Sequence, residues 1–431
     1  MKIKDKKKQA SSQGLVPKLR FPEFRDAMEW EETTIGQLGK IVPGLTYRPD
    51  DIREEGVLVL RSSNIQNGLI SLEDNVYVTP KIKGANPTKP NDILICVRNG
   101  SKPLIGKNAL IPEGMPSCTH GAFMTVLRAK SAKFIFQLFQ TETYKRRVEA
   151  DLGATINSIN TTQLKKYAFF IPKPNEQQKI VDCLSSLDEL ITAQAHKLDT
   201  LKAHKKGVMQ QLFPAPGQTT PTLRFPEFQD AGEWKAKNFG EVCKFVRGPF
   251  GGALKKDIFV KSGYAVYEQS HAIYQNFDSF RYFITEEKYK ELKRFAVAAN
   301  DIIMSCSGTM GKFAIVPKDS KEGVINQALL KLTVRRGFNI DFIKYTLELP
   351  SSQEKLLSQS AGGAIKNVVG VTQLKEIEID IPNPPEQQKI ADCLSSLDEL
   401  IAAQAHKFDI LKAHKKGLMQ QLFPNPDKAA E

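Results

Sequence analysis

Apolar side chains recur at alternating steps of four and three residues in two long stretches of the chain, 176–214 and 386–424. This spacing is the heptad pattern of helices that pack along a partner helix. It continues for about five heptads, which predicts helices roughly 55–60 Å long at 1.5 Å per residue. The predicted packing positions are Ile180, Leu184, Leu187, Ile191, Gln194, Leu198 and Leu201 in the first stretch, and Ile390, Leu394, Leu397, Ile401, Gln404, Phe408 and Leu411 in the second.

The two stretches are almost the same sequence and differ at only five of 39 positions. A lone helix with such an apolar stripe cannot bury it in water, so each copy needs a partner helix, and the other copy is the obvious one. We therefore predict a pair of long antiparallel coiled-coil helices. Gln194 and Gln404 would lie near its midpoint, where a hydrogen bond between them would fix the register. Lys205 and Lys415 interrupt the apolar pattern at matching positions.

The duplication also includes the segments that lead into each domain. The sequence LRFPEF at 19–24 returns at 223–228, and a tryptophan follows each copy, Trp30 or Trp234. The chain is therefore predicted to contain two units, each with a leading segment, a globular domain and a long helix. The predicted boundaries are a basic disordered tail at 1–14, a first domain at 15–174, a central helix at 175–214, a second domain at 215–384, a C-terminal helix at 385–424 and a tail at 425–431.

The two domains between the duplicated parts agree in pattern and little in identity. Their apolar strands, turns and helical segments predict a mixed α/β fold for each, within an internal pseudo-two-fold repeat. The order of the strands does not follow from the pattern. In each domain we predict an apolar strand, a second strand introduced by a turn, one helix ended by glycine, and a last strand before a proline-rich hinge. In the first domain these are 57–60, 91–95, about 134–151 (ended by Gly153) and 167–171. In the second domain they are 264–267, 300–304, about 342–359 (ended by Gly362 and Gly363) and 377–381.

Composition and charge restrict the class of protein further. Lys and Arg number 61 against 48 Asp and Glu, and the net charge of +13 favours a polyanionic partner. The six cysteines include no CxxC pair, so neither a disulfide framework nor a zinc site is indicated. No apolar run approaches 18 residues, and the N-terminal residues lack the apolar stretch of a signal peptide. We expect a cytoplasmic protein without a membrane partner.

Three catalytic motifs can be rejected on the sequence. Pro49-Asp50-Asp51 lacks the downstream Asp/Glu-x-Lys on a strand that a nuclease centre would require. Residues 100–108 resemble a phosphate-binding loop but contain one residue too many, and Asn108 stands where Ser or Thr would hold magnesium. The matching segment 308–312 is too short. Residues 383–386 lack the aromatic residue of an amino-methyltransferase motif, and no glycine-rich cofactor turn follows a strand. We therefore expect no catalytic centre, and neither a metal ion nor a cofactor bound by this chain.

Polar and basic loops follow the predicted strands of both domains. Arg, Lys, Asn, Gln and Ser are the side chains that hold phosphates and bind base edges, so these loops are candidates for DNA contacts. The candidate residues are Arg61, Ser62, Asn64, Arg98, Asn99, Lys102 and Lys107 in the first domain, and Tyr267, Glu268, Gln269, Ser305, Ser307 and Lys312 in the second.

The sequences PKPNEQQKI at 172–180 and PNPPEQQKI at 382–390 carry a specific resemblance. With unlike domains before them and near-identical helices after them, the chain resembles the specificity subunit of type I restriction–modification systems from about Leu15 onward. The resemblance implies two target-recognition domains, each recognising one half of a bipartite asymmetric site in double-stranded DNA. The helices would set the spacer and dock two methyltransferase subunits, and motor–nuclease subunits would join for cleavage. S-adenosylmethionine, ATP and magnesium would then bind to those partner subunits.

Other classes of protein explain less of the sequence. An enzyme that methylates or cuts DNA on one chain would need a cofactor motif. A structural coiled-coil adaptor would explain the helices but not two basic domains with polar loops. A specificity subunit of another multi-subunit DNA methylation system, without cleavage, is the alternative that stays open. The target sequence, the spacer length and the presence of a cleavage subunit do not follow from the sequence.

Overall fold

The two predicted long helices are continuous in the computed structural model, which describes residues 15–152, 157–250, 252–357 and 370–425. The first long helix spans Pro174–Leu212 and the second spans Pro384–Leu422, 39 residues each. Each begins with a proline, which has no N–H to leave unpaired in the first turn and whose fixed φ suits the helix. The helices therefore begin two residues earlier than the apolar pattern.

The chain divides into two compact units, and each unit contains parts of both long helices. Of the described residues, 15–194 and 407–425 form the first unit, and 195–406 form the second. Each unit therefore combines one α/β domain with the beginning of the long helix that follows it and the end of the other long helix.

Within each unit, the beginning of one long helix packs beside the end of the other. Apolar residues of both long helices share one hydrophobic core in each unit, so the predicted antiparallel direction is confirmed. They include Ile180, Leu184, Met419 and Leu422 in the first unit, and Leu212, Ile390 and Leu394 in the second.

The predicted packing positions of both helices are buried or half-buried, including Gln404, which is 7% exposed. The hydrogen bond between Gln194 and Gln404 stays a prediction. The two lysines that interrupt the pattern each bind an aspartate of the other long helix. Lys205 Nζ lies 2.6 Å from Asp398 Oδ1, and Lys415 Nζ lies 2.6 Å from Asp188 Oδ1.

The first domain is built on two four-stranded sheets. In one sheet the antiparallel order is β2-β11-β8-β9, and in the other the order is β10-β4-β7-β3 with β10 and β4 parallel. β1 pairs with β12, which closes the domain ahead of the first long helix. The strands are β1 (Glu31–Thr34), β2 (Gly39–Pro43), β3 (Ile52–Arg53), β4 (Val57–Leu60), β5 (Ile65–Gln66), β6 (Leu69–Ile70), β7 (Tyr77–Val78), β8 (Ile93–Cys96), β9 (Asn108–Leu110), β10 (Cys118–His120), β11 (Met124–Ala129) and β12 (Ala168–Ile171).

The second domain repeats this plan with a smaller second sheet. Its antiparallel sheet has the order β14-β20-β17-β18, and its three-stranded sheet has the order β16-β15-β19 with β15 and β19 parallel. β13 pairs with β21, as β1 pairs with β12. The strands are β13 (Lys235–Asn238), β14 (Cys243–Arg247), β15 (Tyr264–Tyr267), β16 (Phe283–Ile284), β17 (Ile302–Ser305), β18 (Phe313–Ile315), β19 (Gly323–Ile325), β20 (Leu329–Val334) and β21 (Glu378–Ile381). The predicted α/β class and internal repeat are confirmed.

The single helix predicted in each domain is wrong, because each is divided into two. In the first domain, Thr141 Oγ1 accepts a hydrogen bond from Tyr144 N (3.4 Å) and begins a second helix. In the second domain, Pro350 ends the first helix because the residue before a proline favours extended backbone. The domain helices are Ile35–Leu38, Ala132–Phe139, Glu142–Asp151 and Thr161–Lys165, followed by Phe239–Val242, Gln269–Tyr274, Glu286–Glu291, Ile340–Glu348, Pro350–Leu357 and Val371–Glu376.

A turn introduces the central strand of each domain, as predicted. Asn91 and Asn300 have φ values of 65° and 69°, a left-handed conformation that asparagine tolerates better than most residues. The carboxylates of Asp92 and Asp301 each accept a 2.8 Å hydrogen bond from the backbone N–H three residues earlier. The strands themselves begin after these turns, at Ile93 and Ile302.

A buried ion pair fastens each leading segment to the start of a long helix. Arg20 binds both carboxylate oxygens of Glu176, at 2.8 and 2.7 Å, and Trp30 Nε1 donates to the same group at 3.3 Å. In the second unit, Arg224 donates to the two carboxylate oxygens of Glu386 at 2.7 and 2.8 Å, and Trp234 Nε1 donates to the same carboxylate at 3.3 Å. The guanidinium donates to Glu176, and this raises the pKa of Arg20.

Several predicted features lie outside the described residues. These are the tail at 1–14, the glycines predicted to end the domain helices (Gly153, Gly362 and Gly363), and the end of the C-terminal tail at 426–431.

We expect Glu176→Ala to lower the free energy of unfolding of the first unit by about 3–5 kcal/mol. The substitution leaves the Arg20 side chain, which is 6% exposed, buried without a counter-charge. Urea unfolding followed by tryptophan fluorescence measures the loss. Trp30 is the reporter in a Trp234→Phe background, because the chain has only two tryptophans.

Glu23→Ala is the matched control. It removes the partner of Lys179 in an ion pair whose side chains are 45% and 49% exposed, and such pairs contribute little to stability. Its unfolding midpoint should stay close to that of the parent protein. Equal shifts in the two variants would contradict the role assigned to the buried pair.

Candidate DNA interface

Loops that follow four strands of the first domain are joined by backbone hydrogen bonds. The strands are β2, β4, β8 and β10. We call these loops, residues 44–48, 61–64, 97–107 and 121–123, the first loop edge. The bonds run from Leu45 N to His120 O (2.7 Å), from Gly121 N to Leu60 O (3.0 Å), and from Val97 N and Arg98 N to Phe123 O (3.0 and 3.1 Å).

The second domain has a corresponding second loop edge, residues 248–250, 268–271, 306–312 and 326–328. Its loops follow β14, β15, β17 and β19 and are also joined by backbone hydrogen bonds. The bonds run from Gly248 N to Leu329 O (2.9 Å), from Asn326 N to Tyr267 O (3.0 Å), and from Cys306 N to Ala328 O (2.8 Å).

A glycine is required where two of these loops cross. A Cβ atom added to Gly44 would lie 2.0 Å from Gly121 O, and one added to Gly248 would lie 1.8 Å from Asn326 O. Such distances exclude any side chain. The same close backbone approach therefore supports both loop edges.

Arg61 and Ser62 lie on the first loop edge, where Arg61 pairs with Asp74 and Ser62 bonds to Asn99. The Arg61 guanidinium lies 2.8 Å from Asp74 Oδ1, and the two side chains are 34% and 61% exposed. Exposed pairs of this kind contribute little, so Arg61 can exchange Asp74 for a phosphate at small cost. Ser62 Oγ accepts a 2.9 Å hydrogen bond from Asn99 Nδ2. Two of the predicted loops therefore meet.

Asn64 is buried inside the loop. Its Oδ1 accepts from Arg61 N at 2.9 Å, and its Nδ2 donates to Ser71 O and Asp74 O, both at 3.0 Å. The side chain is 0% exposed. Both ends of the amide are used within the chain, so Asn64 holds the loop in shape and is not available to a base.

The other candidates of the first domain differ in accessibility. Arg98 and Lys102 are exposed, whereas Asn99 and Lys107 are half-buried. The guanidinium carbon of Arg98 lies 5.8 Å from the centroid of the Phe123 ring. The Asn99 side chain connects two loops. Its Nδ2 donates to Ser62 Oγ, and its Oδ1 accepts a 3.0 Å hydrogen bond from Ser101 N in its own loop. Arg98 and Lys102 are therefore the exposed cations among these four candidates.

Tyr267 belongs to the core of the second domain, because its side chain is 1% exposed. Its hydroxyl donates to Lys321 O at 2.6 Å, and desolvation raises its pKa. It is not available to a base in this structure. Glu268 and Gln269 are half-buried at the start of a helix, where His271 Nδ1 accepts from Glu268 N at 2.9 Å.

Ser305 closes the neighbouring loop and does not face outward. It is 0% exposed, and its hydroxyl donates to Thr309 O at 2.7 Å and accepts from Lys312 N at 3.0 Å. Ser307 and Lys312 lie on the exposed part of the same loop. The second loop edge therefore offers Ser307 and Lys312, and Ser305 supports them.

Two exposed phenylalanines on the loop edges were missed by the sequence analysis. Phe123 is 56% exposed and Phe250 is 89% exposed. An apolar residue in a loop looks like a core position in the sequence pattern, so the sequence does not show that it is exposed. One signal was present in the sequence, because each phenylalanine follows a glycine by two residues, Gly121 or Gly248, outside any alternating strand.

Two buried thiols of the second domain are unreactive. Burial raises the pKa of the Cys306 thiol to about 11 and that of the Cys243 thiol to about 12. Both groups are neutral near neutral pH, and a neutral thiol is a poor nucleophile. Within the described ranges, no three His, Cys, Asp or Glu side chains come together as a group able to hold a metal ion. None of the helices described here is long and apolar enough to cross a bilayer.

Comparisons with known proteins match both halves of the chain. The family model of the type I restriction modification DNA specificity domain matches the chain twice, over residues 28–203 and 231–412. The chain is 26% identical over 224 residues to the type I restriction enzyme StySPI specificity subunit of Salmonella potsdam, which covers 49% of this chain and 48% of that protein. The chain thus spans about half the length of this relative.

Two further comparisons extend over almost the whole chain. The putative type I restriction enzyme MjaX specificity subunit of Methanocaldococcus jannaschii is 26% identical over 419 residues, 92% of this chain and 93% of that protein. The crystal structure of the type I restriction–modification system S subunit from M. genitalium has a TM-score of 0.59 at 17% identity and covers 95% of this chain and 100% of that one. At this identity the structural likeness concerns the fold alone.

We expect Asn64→Ala and Arg98→Ala to affect stability very differently. Asn64→Ala leaves buried backbone partners without hydrogen bonds, which should cost about 1–3 kcal/mol of unfolding free energy. Arg98 is exposed, so Arg98→Ala should stay within about 0.5 kcal/mol of the parent protein. Urea unfolding of the two variants measures this. A loss in Arg98→Ala as large as that in Asn64→Ala would contradict the assignment of Arg98 to an accessible surface.

Proposed function

The chain belongs to the type I restriction modification DNA specificity family, and we propose that it is the DNA-recognition subunit of such a system and catalyses no reaction itself. Each domain recognises one half of a bipartite asymmetric site in double-stranded DNA through its loop edge. The observation that carries this proposal is the pair of loop edges, in which two backbone hydrogen bonds correspond while the side chains differ. Gly121 N to Leu60 O corresponds to Asn326 N to Tyr267 O, and Val97 N to Phe123 O corresponds to Cys306 N to Ala328 O.

The equivalent positions of the two loop edges support recognition of different sequences. The backbone hydrogen bond that joins Val97 to Phe123 corresponds to the one that joins Cys306 to Ala328. The next residue along is Arg98 in one domain and Ser307 in the other. A common backbone with different side chains is what two unrelated half-sites require, because base edges are distinguished by side-chain hydrogen bonds and apolar contacts.

Charge supports DNA as the ligand. The net charge is +13, and exposed cations lie on both loop edges, including Arg98, Lys102 and Lys312. Contacts between such cations and phosphates release counterions, so binding should weaken steeply as salt rises. Phosphate contacts position the protein on the duplex, while the central loop residues distinguish bases.

We further infer that the long helices dock two methyltransferase subunits and set the spacer between the half-sites. Leu190 and Leu400 occupy equivalent positions on the two helices and are 50% and 55% exposed, so the same apolar contact is available twice. S-adenosylmethionine would bind to the methyltransferases, and ATP and magnesium to motor–nuclease subunits, all in the cytoplasm. A system that methylates without cleaving is the alternative, and the presence or absence of a cleavage-subunit gene beside this one distinguishes the two.

Exchange of one recognition domain tests the function. Replacing residues 244–375 with the equivalent segment of a relative should change one half of the methylated target and leave the other half unchanged. Sequencing the methylated sites in cells that also express the methyltransferase subunits gives the result. Cells without this chain are the control and should show no methylation at the target. A change in both halves would mean that the domains recognise DNA jointly.

A helix insertion tests the role of the helices as a spacer. Adding one heptad after Thr200 keeps the apolar stripe on one face and lengthens the helix by about 10 Å. This corresponds to about three base pairs at 3.4 Å each, so the gap between the half-targets should widen while both half-sequences stay the same.

A five-residue insertion at the same position is the control, because it rotates the stripe away from its partner and should be tolerated less well. The methylated sequence is the readout. An active heptad variant with an unchanged gap would show that helix length does not determine the spacer.

A further inference from the structure

Phe123 presents an exposed aromatic ring on a fixed backbone. Its carbonyl oxygen accepts from both Val97 N (3.0 Å) and Arg98 N (3.1 Å), and the turn that carries it is closed by a 2.8 Å bond from Met124 N to Gly121 O. The side chain is nevertheless 56% exposed. A large apolar group held outward on a well-bonded turn indicates a contact surface.

Arg98 lies beside this ring and makes the surface both cationic and aromatic. Its guanidinium carbon is 5.8 Å from the ring centroid, within the range of a cation–π contact. Arg98 is exposed, and no described acidic side chain forms an ion pair with it. The neighbouring Asn99 is bonded to Ser62 at 2.9 Å, which holds the adjoining loop in place.

The fold itself does not require either side chain. At the corresponding positions of the second domain, Ser307 replaces Arg98 and Ala328 replaces Phe123. The backbone there is bonded in the same way, with Cys306 N to Ala328 O at 2.8 Å and a turn closed from Leu329 N to Asn326 O at 3.2 Å. The pair Arg98 and Phe123 is therefore specific to the first loop edge.

We propose that Arg98 and Phe123 together determine two neighbouring base pairs of the half-site bound by the first domain. Arg98 donates to O6 and N7 of a guanine, and Phe123 contacts the C5-methyl group of a thymine in the major groove. This inference rests on the proposed function. Neighbouring base pairs are about 3.4 Å apart along the duplex, so groups separated by one cation–π distance can reach both.

A different use of an exposed phenylalanine is insertion between two bases from the minor groove, which unstacks and bends the DNA. A guanidinium meets two acceptors side by side on the major-groove edge of guanine, so the proposal places the pair in the major groove. Only the major-groove mode depends on the C5-methyl group of the thymine, so removing that methyl group distinguishes the two modes.

The test uses the complex of the full chain with its methyltransferase subunits and short duplexes that carry the target found by sequencing methylated sites. Deoxyuridine in place of the thymine removes only the methyl group. We expect this change to weaken binding by the parent complex about three- to five-fold. The Phe123→Ala complex should bind both duplexes equally, at the weaker level. Phe123→Ala should fold, because alanine occupies the corresponding position of the second domain.

Met28→Ala is the matched control. Met28 is 69% exposed and lies in the leading segment of the same unit, outside the loop edge. Its complex should keep both the parent affinity and the deoxyuridine effect. Arg98→Ala should relax the preference at the neighbouring guanine and leave the effect of the thymine methyl group in place.

Three results would overturn the proposal while leaving the proposed function intact. The first is a half-target in which no guanine neighbours a thymine, and the second is a Phe123→Ala complex that still binds the deoxyuridine duplex more weakly than the thymine duplex. The third is a loss of affinity in Phe123→Ala that is equal for all DNA sequences and accompanied by reduced DNA bending. If the parent complex selects no bipartite target at all, the proposed function itself fails.

Discussion

A buried carboxylate at the start of each long helix holds together parts of a unit that are distant in sequence. Glu176 accepts hydrogen bonds from Arg20 and Trp30 of the leading segment, and Glu386 accepts the same bonds in the second unit. Glu176 is 3% exposed and Glu386 is 1% exposed. A charge buried in this way destabilises the fold unless its partners are all in place. The position of the leading segment therefore determines whether the helix and the domain can pack.

The residues next to this carboxylate have separate structural roles. Gln177 Nε2 donates to Pro172 O at 2.8 Å and closes the hinge, and Gln178 Nε2 binds Asp182 one turn later at 2.7 Å. Their counterparts in the second unit make the same bonds, at 2.9 and 2.7 Å. In the sequence Glu-Gln-Gln, the glutamate thus binds the leading segment, the first glutamine bonds to the hinge, and the second stabilises the first turn of the helix. This explains why one short sequence precedes both long helices although the domains before them differ.

The sequence predicted the long helices, which depend on periodicity, but missed the division of the domain helices at Thr141 and Pro350 and the features that depend on tertiary contacts. The long helices and the strands after Asn91 and Asn300 follow from spacing and turn residues. A polar residue in a loop gives no such signal. Asn64 and Ser305 hold loops from inside, whereas Arg98 faces outward, and only the hydrogen bonds around each distinguish them. Which polar residue a loop buries is decided by backbone groups that come from elsewhere in the chain.

The lysines that interrupt the apolar pattern determine how the helices align. Each lies within a unit against an aspartate of the other long helix, Lys415 with Asp188 and Lys205 with Asp398. Sliding one helix by a heptad would keep most apolar contacts but separate each lysine from its aspartate, so the two ion pairs favour one register. The domains contribute different second partners, because Gln137 donates to Asp188 at 3.1 Å while Tyr345 donates to Asp398 at 2.8 Å. The helix pair can therefore keep one register while the domains attached to it change.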